Sequence, residues 1–131
     1  MFEVFDKIGL FQGHSSLKEC LDDFTAAEKL AGENKYFCSN CDSKQNATRR
    51  LKLDVLPPYL NLQLNRYTYD RVLLRKKKLN VPIEFPDQLD LSSYVNEKEG
   101  SSVYQLVGVL VHVGQEAHQG HYIVHVQVTD Y

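Results

Sequence analysis

The 131-residue sequence contains no apolar run near the roughly 18 residues that a membrane span requires, so no transmembrane helix is expected. Its first eleven residues lack a basic region followed by an apolar one, which argues against a secretory signal. Only three cysteines are present, Cys20, Cys38 and Cys41, and three cannot all pair. This favours a reducing compartment, the cytoplasm or the nucleus, over a secreted protein.

Basic residues do not outnumber acidic ones, and the formal net charge is -2 at pH 7. The basic run in residues 71–78 could contact an acidic or nucleic-acid partner, but the negative total favours a solvated loop and no nucleic-acid partner. No G-x-x-x-x-G-K-[ST], G-x-G-x-x-G, H-E-x-x-H or G-x-S-x-G motif occurs, so nucleotide hydrolysis and the common hydrolase motifs find no support. Hydrophobic residues make up 43% of the chain and charged residues 24%, as in one ordinary globular domain.

Hydrophobic periodicity predicts an α+β fold of mainly antiparallel strands with one capped helix. Residues 16–19 form an S-x-x-E capping box, and Leu17, Cys20, Leu21 and Phe24 then share one helical face, which predicts a helix over residues 17–24. Residues 104–113 are apolar on both faces, which predicts a central strand covered on two sides. Further strands are predicted at 2–8, 36–37, 47–55, 60–65 and 121–128, an extended segment at 79–85, a turn at 28–30, a turn or short helix at 89–94, and loops at 31–34, 71–78 and 114–120.

Cys38 and Cys41 stand on a predicted tight turn after two aromatic residues, with the spacing of a zinc knuckle. Zinc prefers four ligands in a tetrahedron, and this turn offers two thiolates. Two ordinary reduced thiols or a redox pair fit the same spacing, and the residues alone leave these alternatives open. Cys20 lies on the apolar face of the predicted helix and is expected in the core.

Four histidines cluster towards the end of the chain: His112, His118, His121 and His125. His112 ends one predicted strand and His121 begins the next, so the loop between them brings both to the mouth of a hairpin. A histidine there can act as a general base towards a nucleophile. Satisfied surface histidines on a polar hairpin are the alternative, and the residues alone favour it.

Several segments, taken in order, resemble the ubiquitin-specific protease family, the papain-like deubiquitinating cysteine proteases. The matching segments are S-L-K-E-C-L at 16–21, L-A-G-E-N-K-Y-F-C-S-N-C at 30–41, L-P-P-Y-L-N-L-Q-L-N-R-Y-T-Y-D at 56–70, K-L-N at 78–80 through F-P at 85–86, L-D-L at 89–91 with Tyr94, and 104–113 followed by G-H-Y at 120–122. Together they cover nearly the whole chain and are highly specific, although each one alone is modest.

The resemblance implies that residues 1–131 are the palm and fingers portion of such a catalytic domain, with ubiquitin and ubiquitinated proteins as partners. It implies that His121 is the catalytic general base and that Cys38 and Cys41 are half of a structural zinc site. No cofactor for catalysis is implied.

The same resemblance assigns Tyr67, His112 and Tyr122 to the channel for the C-terminal tail of ubiquitin. It assigns residues 71–78 and 114–119 to two loops that flank this channel.

Some family features have no match in the sequence. They are the Cys box with its nucleophile, the adjoining oxyanion-hole residue and the first C-x-x-C pair. Asp130 comes too early in the chain to be the Asp or Asn that orients the base, and Tyr67 replaces the usual phenylalanine. The expectation is therefore a segment of a deubiquitinase that is inactive alone, the alternative being a catalytically inactive ubiquitin-binding fragment.

Overall fold

The computed structural model describes residues 7–11, 13–96, 101–116 and 118–128. Within these residues the chain forms one α-helix, one short 3₁₀ turn at Gly32–Asn34 and twelve strands. The elements are β1 Lys7–Phe11, α1 Leu17–Phe24, β2 Glu28–Leu30, β3 Tyr36–Cys38, β4 Ser43–Gln45, β5 Ala47–Arg49, β6 Asn61–Asn65, β7 Tyr67–Asp70, β8 Arg75–Lys78, β9 Gln88–Asp90, β10 Val103–Gln105, β11 Gly108–Val113 and β12 His121–Val126. In this described part of the chain, no helix has the length and apolarity needed to cross a membrane.

The capped helix is confirmed at the predicted residues. Ser16 has an extended backbone and its hydroxyl accepts from the Glu19 amide at 3.2 Å. The Glu19 carboxylate in turn accepts from the amide of Ser15 at 2.8 Å and from its hydroxyl at 3.0 Å. The Ser15 amide therefore holds the pKa of Glu19 below its ordinary value. At the other end, the Thr25 hydroxyl donates to the Leu21 carbonyl at 2.8 Å and closes the last turn.

The buried core lies beneath α1. Leu21 and Leu91 are completely buried, and Cys20 is 1% exposed. Leu17 and Tyr94 complete the buried cluster, so the predicted apolar helix face does form the core. Partly buried side chains pack around this cluster: Phe24, Leu53, Leu56, Leu60, Leu62, Leu64, Ile83, Leu89 and Tyr104.

Hydrogen bonds tie α1 to the segment that contains Tyr94. The Tyr94 hydroxyl donates to Asp22 at 2.7 Å, and Asp22 also accepts from the Lys18 ammonium at 2.6 Å. Two isolated bridges, Ser16 with Glu84 and Leu53 with Val95, hold distant segments against the same core. The helix is therefore fixed by polar contacts as well as by apolar packing.

The strands form separate two-stranded pairs in the described residues. β1 pairs with β6 in parallel, with Lys7 opposite Asn61 and Phe11 opposite Asn65. The pairs β2–β5, β3–β4, β7–β8, β9–β10 and β11–β12 are all antiparallel. The expected mainly antiparallel α+β architecture is confirmed, with one parallel pair added.

Three local predictions are wrong or too long. Residues 28–30 form a strand rather than a turn, because they pair with β5. Of the strand expected at 47–55, only Ala47–Arg49 forms, because beyond it the chain pairs only through Leu53. The loop expected at 71–78 is a turn followed by β8, since β7 supplies the hydrogen bonds and long basic side chains are tolerated at a solvent-facing strand.

The segment expected to be one central strand is two strands, β10 and β11. Leu110 is 65% exposed, so the prediction of a strand covered on both sides is wrong for the described residues. In the described residues β11 pairs with β12 alone. The prediction failed because an apolar composition does not show whether a second layer covers the strand.

Other predictions hold in part. At 89–94, a short strand, β9, precedes a turn closed by the Tyr94 amide on the Leu91 carbonyl at 2.9 Å. The strand expected at 121–128 is observed as His121–Val126. Of the strand expected at 2–8, residues 2–6 lie outside the described residues, and the observed strand is Lys7–Phe11.

Replacing Leu21 by alanine tests the core. Because Leu21 of α1 is fully buried in one cluster with Leu91, Leu21→Ala is expected to lower the free energy of unfolding by about 2–5 kcal/mol. Leu73→Ala is the matched control, since Leu73 is 57% exposed and its loss should change the free energy by less than about 0.5 kcal/mol. Urea unfolding followed by circular dichroism measures both, and equal losses would contradict the assigned core.

Candidate functional site

The predicted site residues of the β11–β12 hairpin lie on its two opposite faces. Facing residues in an antiparallel pair project to the same side. His112 lies opposite Tyr122, and their ring centroids are 5.0 Å apart with the rings tilted by 50°. His121 lies opposite Val113 and therefore projects to the other face. The predicted hairpin is confirmed, but the two histidines at its mouth do not share a face.

Two glycines make the tight mouth of this hairpin. Gly114 has φ +147° and Gly120 has φ +148°, values that side-chain-bearing residues rarely adopt. A Cβ on Gly120 would collide with the Val113 carbonyl oxygen and lie 2.5 Å from His112 Nε2. A Cβ on Gly114 would lie 2.6 Å from the Gln119 carbonyl oxygen. Close backbone approach therefore requires glycine immediately before His121.

Tyr67 reaches this site from the β7–β8 hairpin. Its hydroxyl lies 3.4 Å from His112 Nδ1, a long hydrogen-bond contact. The structure thus brings together Tyr67, His112 and Tyr122, which lie far apart in the sequence. All three rings are partly exposed and form an open aromatic surface.

Lys78 is a site residue that the sequence interpretation missed. Its ammonium donates to the carbonyl oxygens of His112 at 2.8 Å and Gly114 at 2.7 Å, contacts that we call the Lys78 bridge. Lys78 is the cross-strand partner of Tyr67. The one feature of the sequence that could have indicated it is that Lys78 ends the basic run in residues 71–78.

The turn of the β7–β8 hairpin is ordered by Asp70. The Asp70 carboxylate accepts from the amides of Leu73 and Val72, both at 2.9 Å. The Leu73 amide in particular holds the pKa of Asp70 below its ordinary value. Arg75 lies 3.9 Å from Glu116 and joins this hairpin to the 114–120 loop, although such an exposed pair contributes little.

Cys38 and Cys41 lie at the turn between β3 and β4. The Cys41 amide, the Cys41 thiol and the Asn40 amide donate towards Cys38 and hold the pKa of its thiol below the ordinary value. Amide groups directed at a sulfur, with a second thiol beside it, fit two ligands of a zinc site. Among the described residues, no third His, Cys, Asp or Glu joins them.

Cys20 is separate from this pair. It is almost fully buried in the α1 cluster, and burial raises the pKa of its thiol. The β11–β12 hairpin itself contains no cysteine. In the described part of the chain, His121 makes no ion pair with a carboxylate, and Asp130 lies outside the described residues.

A family profile described as ubiquitin carboxyl-terminal hydrolase matches residues 14–130. The chain belongs to this family. Ubiquitin carboxyl-terminal hydrolase 48 of Rattus norvegicus is 53% identical over 116 residues, which are 88% of this chain and 11% of that protein. Ubiquitin carboxyl-terminal hydrolase 26 of Oryza sativa subsp. japonica is 40% identical over the same shares. The chain thus spans about a tenth of the length of these relatives.

Solved structures of the family share the fold. The SAGA Ubp8/Sgf11/Sus1/Sgf73 DUB module bound to ubiquitin aldehyde matches with a TM-score of 0.77 and 32% identity, covering 92% of this chain and 28% of that one. A related module carrying Ubp8(S144N) matches with a TM-score of 0.75 and 33% identity, covering 92% and 27%. The mainly antiparallel arrangement with one helix is therefore that of this hydrolase family.

Gly120→Ala is expected to open the mouth of the hairpin. The added Cβ meets the Val113 carbonyl and the His112 ring, so the free energy of unfolding should fall by more than the roughly 1–2 kcal/mol that a left-handed alanine costs. Gly32→Ala is the matched control, because Gly32 also has positive φ but has no atom near the added Cβ. Urea unfolding gives both values, and an equal loss in the two variants would contradict the close approach at Gly120.

Proposed function

We propose that the chain is a segment of a thiol-dependent deubiquitinase, which removes ubiquitin from proteins by hydrolysing the amide bond after the C-terminal glycine of ubiquitin. The observation that carries this proposal is the convergence of Tyr67, His112 and Tyr122 from two hairpins beside the G-H-Y motif. Membership of the hydrolase family supports it. The description of one structural neighbour as bound to ubiquitin aldehyde supports ubiquitin as the ligand.

His121 is the proposed general base. It stands exposed at the first position of β12, held there by the close turn at Gly120. A neutral imidazole at that position can take the proton of a thiol, which then attacks the carbonyl carbon of the terminal glycine. The same imidazole, now protonated, can give its proton to the leaving amine, and water later releases ubiquitin from the thioester.

The nucleophilic thiol is proposed to come from outside these 131 residues. Cys20 is buried in the core, and Cys38 and Cys41 lie at the turn of a different hairpin from His121. The chain alone is therefore expected to bind without cutting. This lack of a thiol beside His121 is also what favours the second candidate function, a ubiquitin-binding fragment without activity.

The aromatic surface is the proposed contact for an extended tail of ubiquitin. Tyr67 and Tyr122 both contact His112, and each leaves ring area exposed. An extended peptide placed across such rings buries their exposed area and removes it from water.

The proposed location is a reducing compartment, the cytoplasm or the nucleus, because all three cysteines are free.

Titration of ¹⁵N-labelled ubiquitin with the chain tests this function. We expect binding that Tyr67→Ala and Tyr122→Ala each weaken about tenfold, which corresponds to about 1.4 kcal/mol of lost contact. Tyr59→Ala is the matched control, since Tyr59 is 83% exposed and lies outside the site. Absence of binding by the native chain, or equal weakening by all three variants, would contradict the proposed surface.

A fluorogenic ubiquitin amide in the same samples tests the missing nucleophile. We expect no turnover by the chain alone, because no thiol lies in the His121 hairpin. Turnover that survives repurification and disappears in His121→Ala would show that the chain carries its own nucleophile. That result would leave the deubiquitinase proposal standing and remove the proposal of an external thiol.

We also propose that Cys38 and Cys41 supply half of a structural zinc site. Two thiolates without further ligands should bind Zn²⁺ weakly, so a chromophoric chelator is expected to remove the metal readily. Cys38→Ser and Cys41→Ser should each weaken binding further, whereas Cys20→Ala should not, because Cys20 lies in the core. One zinc per monomer retained through dialysis would contradict the half-site.

A further inference from the structure

Lys78 connects two strand pairs that share no backbone ladder in the described residues. It is the last residue of β8 and the only half-buried one of that strand. The Lys78 bridge ends on the carbonyl oxygens of His112, the last residue but one of β11, and Gly114, which follows that strand. Hydrogen bonds from an ammonium group are about twice as strong as neutral ones, so this side chain is a substantial link between the hairpins.

The His112 carbonyl belongs to the edge of β11 that faces away from β12. The Gln127 amide donates to the Val107 carbonyl at 3.0 Å, so the Val107 carbonyl faces the β12 side. Carbonyls of every second residue in a strand point to the same edge, which places that of His112 on the opposite edge. Gly114 follows the strand, and its carbonyl accepts from the same ammonium. No strand pairs with that edge in the described residues. Lys78 therefore provides the donors that a neighbouring strand would provide.

The two acceptor residues, His112 and Gly114, are the sequence neighbours of Val113, the residue that pairs with His121. Tyr67, the cross-strand partner of Lys78, contacts the His112 ring. One pair of facing residues in β7–β8 thus holds both the ring and the backbone of His112.

We propose that Lys78 is a positioning residue for the reaction, which acts through the backbone of His112 and Gly114 to hold the mouth of the β11–β12 hairpin. In this role Lys78 keeps His121 and Tyr122 in the arrangement that receives the ubiquitin tail. The proposal rests on the proposed function for its purpose, but the bridge itself can be tested without ubiquitin.

Amide hydrogen exchange in the 131-residue chain tests the bridge. Lys78→Met keeps the side-chain stem and removes the donors, so exchange at the His121 and Ile123 amides should become about tenfold faster or more. His125, at the far end of the same strand, should keep its rate. Lys78→Arg should restore slow exchange, because its guanidinium can donate to both carbonyls.

Lys76→Met is the matched control. Lys76 lies on the same strand and face as Lys78, is exposed, and makes no hydrogen bond or ion pair within the described residues. Its exchange pattern should equal that of the native chain. Unchanged exchange in Lys78→Met, or equal acceleration at His121, Ile123 and His125 that Lys78→Arg does not restore, would overturn the proposal.

Ubiquitin titration separates the positioning role from the proposed function. Lys78→Met should weaken ubiquitin binding about tenfold, and Lys78→Arg should restore it. Full affinity in Lys78→Met would overturn the positioning role. If the native chain does not bind ubiquitin, the proposed function fails, and the exchange rates at His121 and Ile123 still decide whether the Lys78 bridge holds the hairpin.

Discussion

Two backbone carbonyl groups, those of His112 and Gly114, join the hairpins of the site through the Lys78 ammonium. The His112 carbonyl points away from β12, and the Lys78 ammonium donates to it and to the Gly114 carbonyl. Carbonyl groups at an unpaired strand edge need donors, and here one flexible side chain does what a strand would otherwise do. Tyr67 is the cross-strand partner of Lys78, and Tyr122 and His121 are the cross-strand partners of His112 and Val113.

The stable core and the site are built by different interactions. Beneath α1, Leu21 and Leu91 are sealed from solvent, and polar contacts through Asp22 reinforce the packing. In the β11–β12 hairpin, apolar side chains such as Leu110 are largely exposed within the described residues. The observed contacts of the hairpin are its own ladder, the close turn at its glycines and the Lys78 bridge, whereas the apolar face of α1 is buried.

Local chemistry explains which predictions succeeded. The Ser16 cap and the apolar helix face act over a few residues, so the sequence pattern was sufficient for α1. The β11–β12 hairpin followed from two apolar runs around a glycine-containing loop. Residues 28–30 and 75–78 were misassigned because their strand character comes from partners, β5 and β7, and not from their own polar composition.

By itself the sequence determined the family, the capped helix and the antiparallel class, and it led to the proposal of four site residues: Tyr67, His112, His121 and Tyr122. These follow from motif order and from short-range periodicity, both of which are written along the chain. Only the tertiary structure decided that His112 and His121 lie on opposite faces and that Lys78 joins the two hairpins. Such contacts depend on the strand register and on which strand edge has unpaired carbonyl groups, and neither can be read from the sequence.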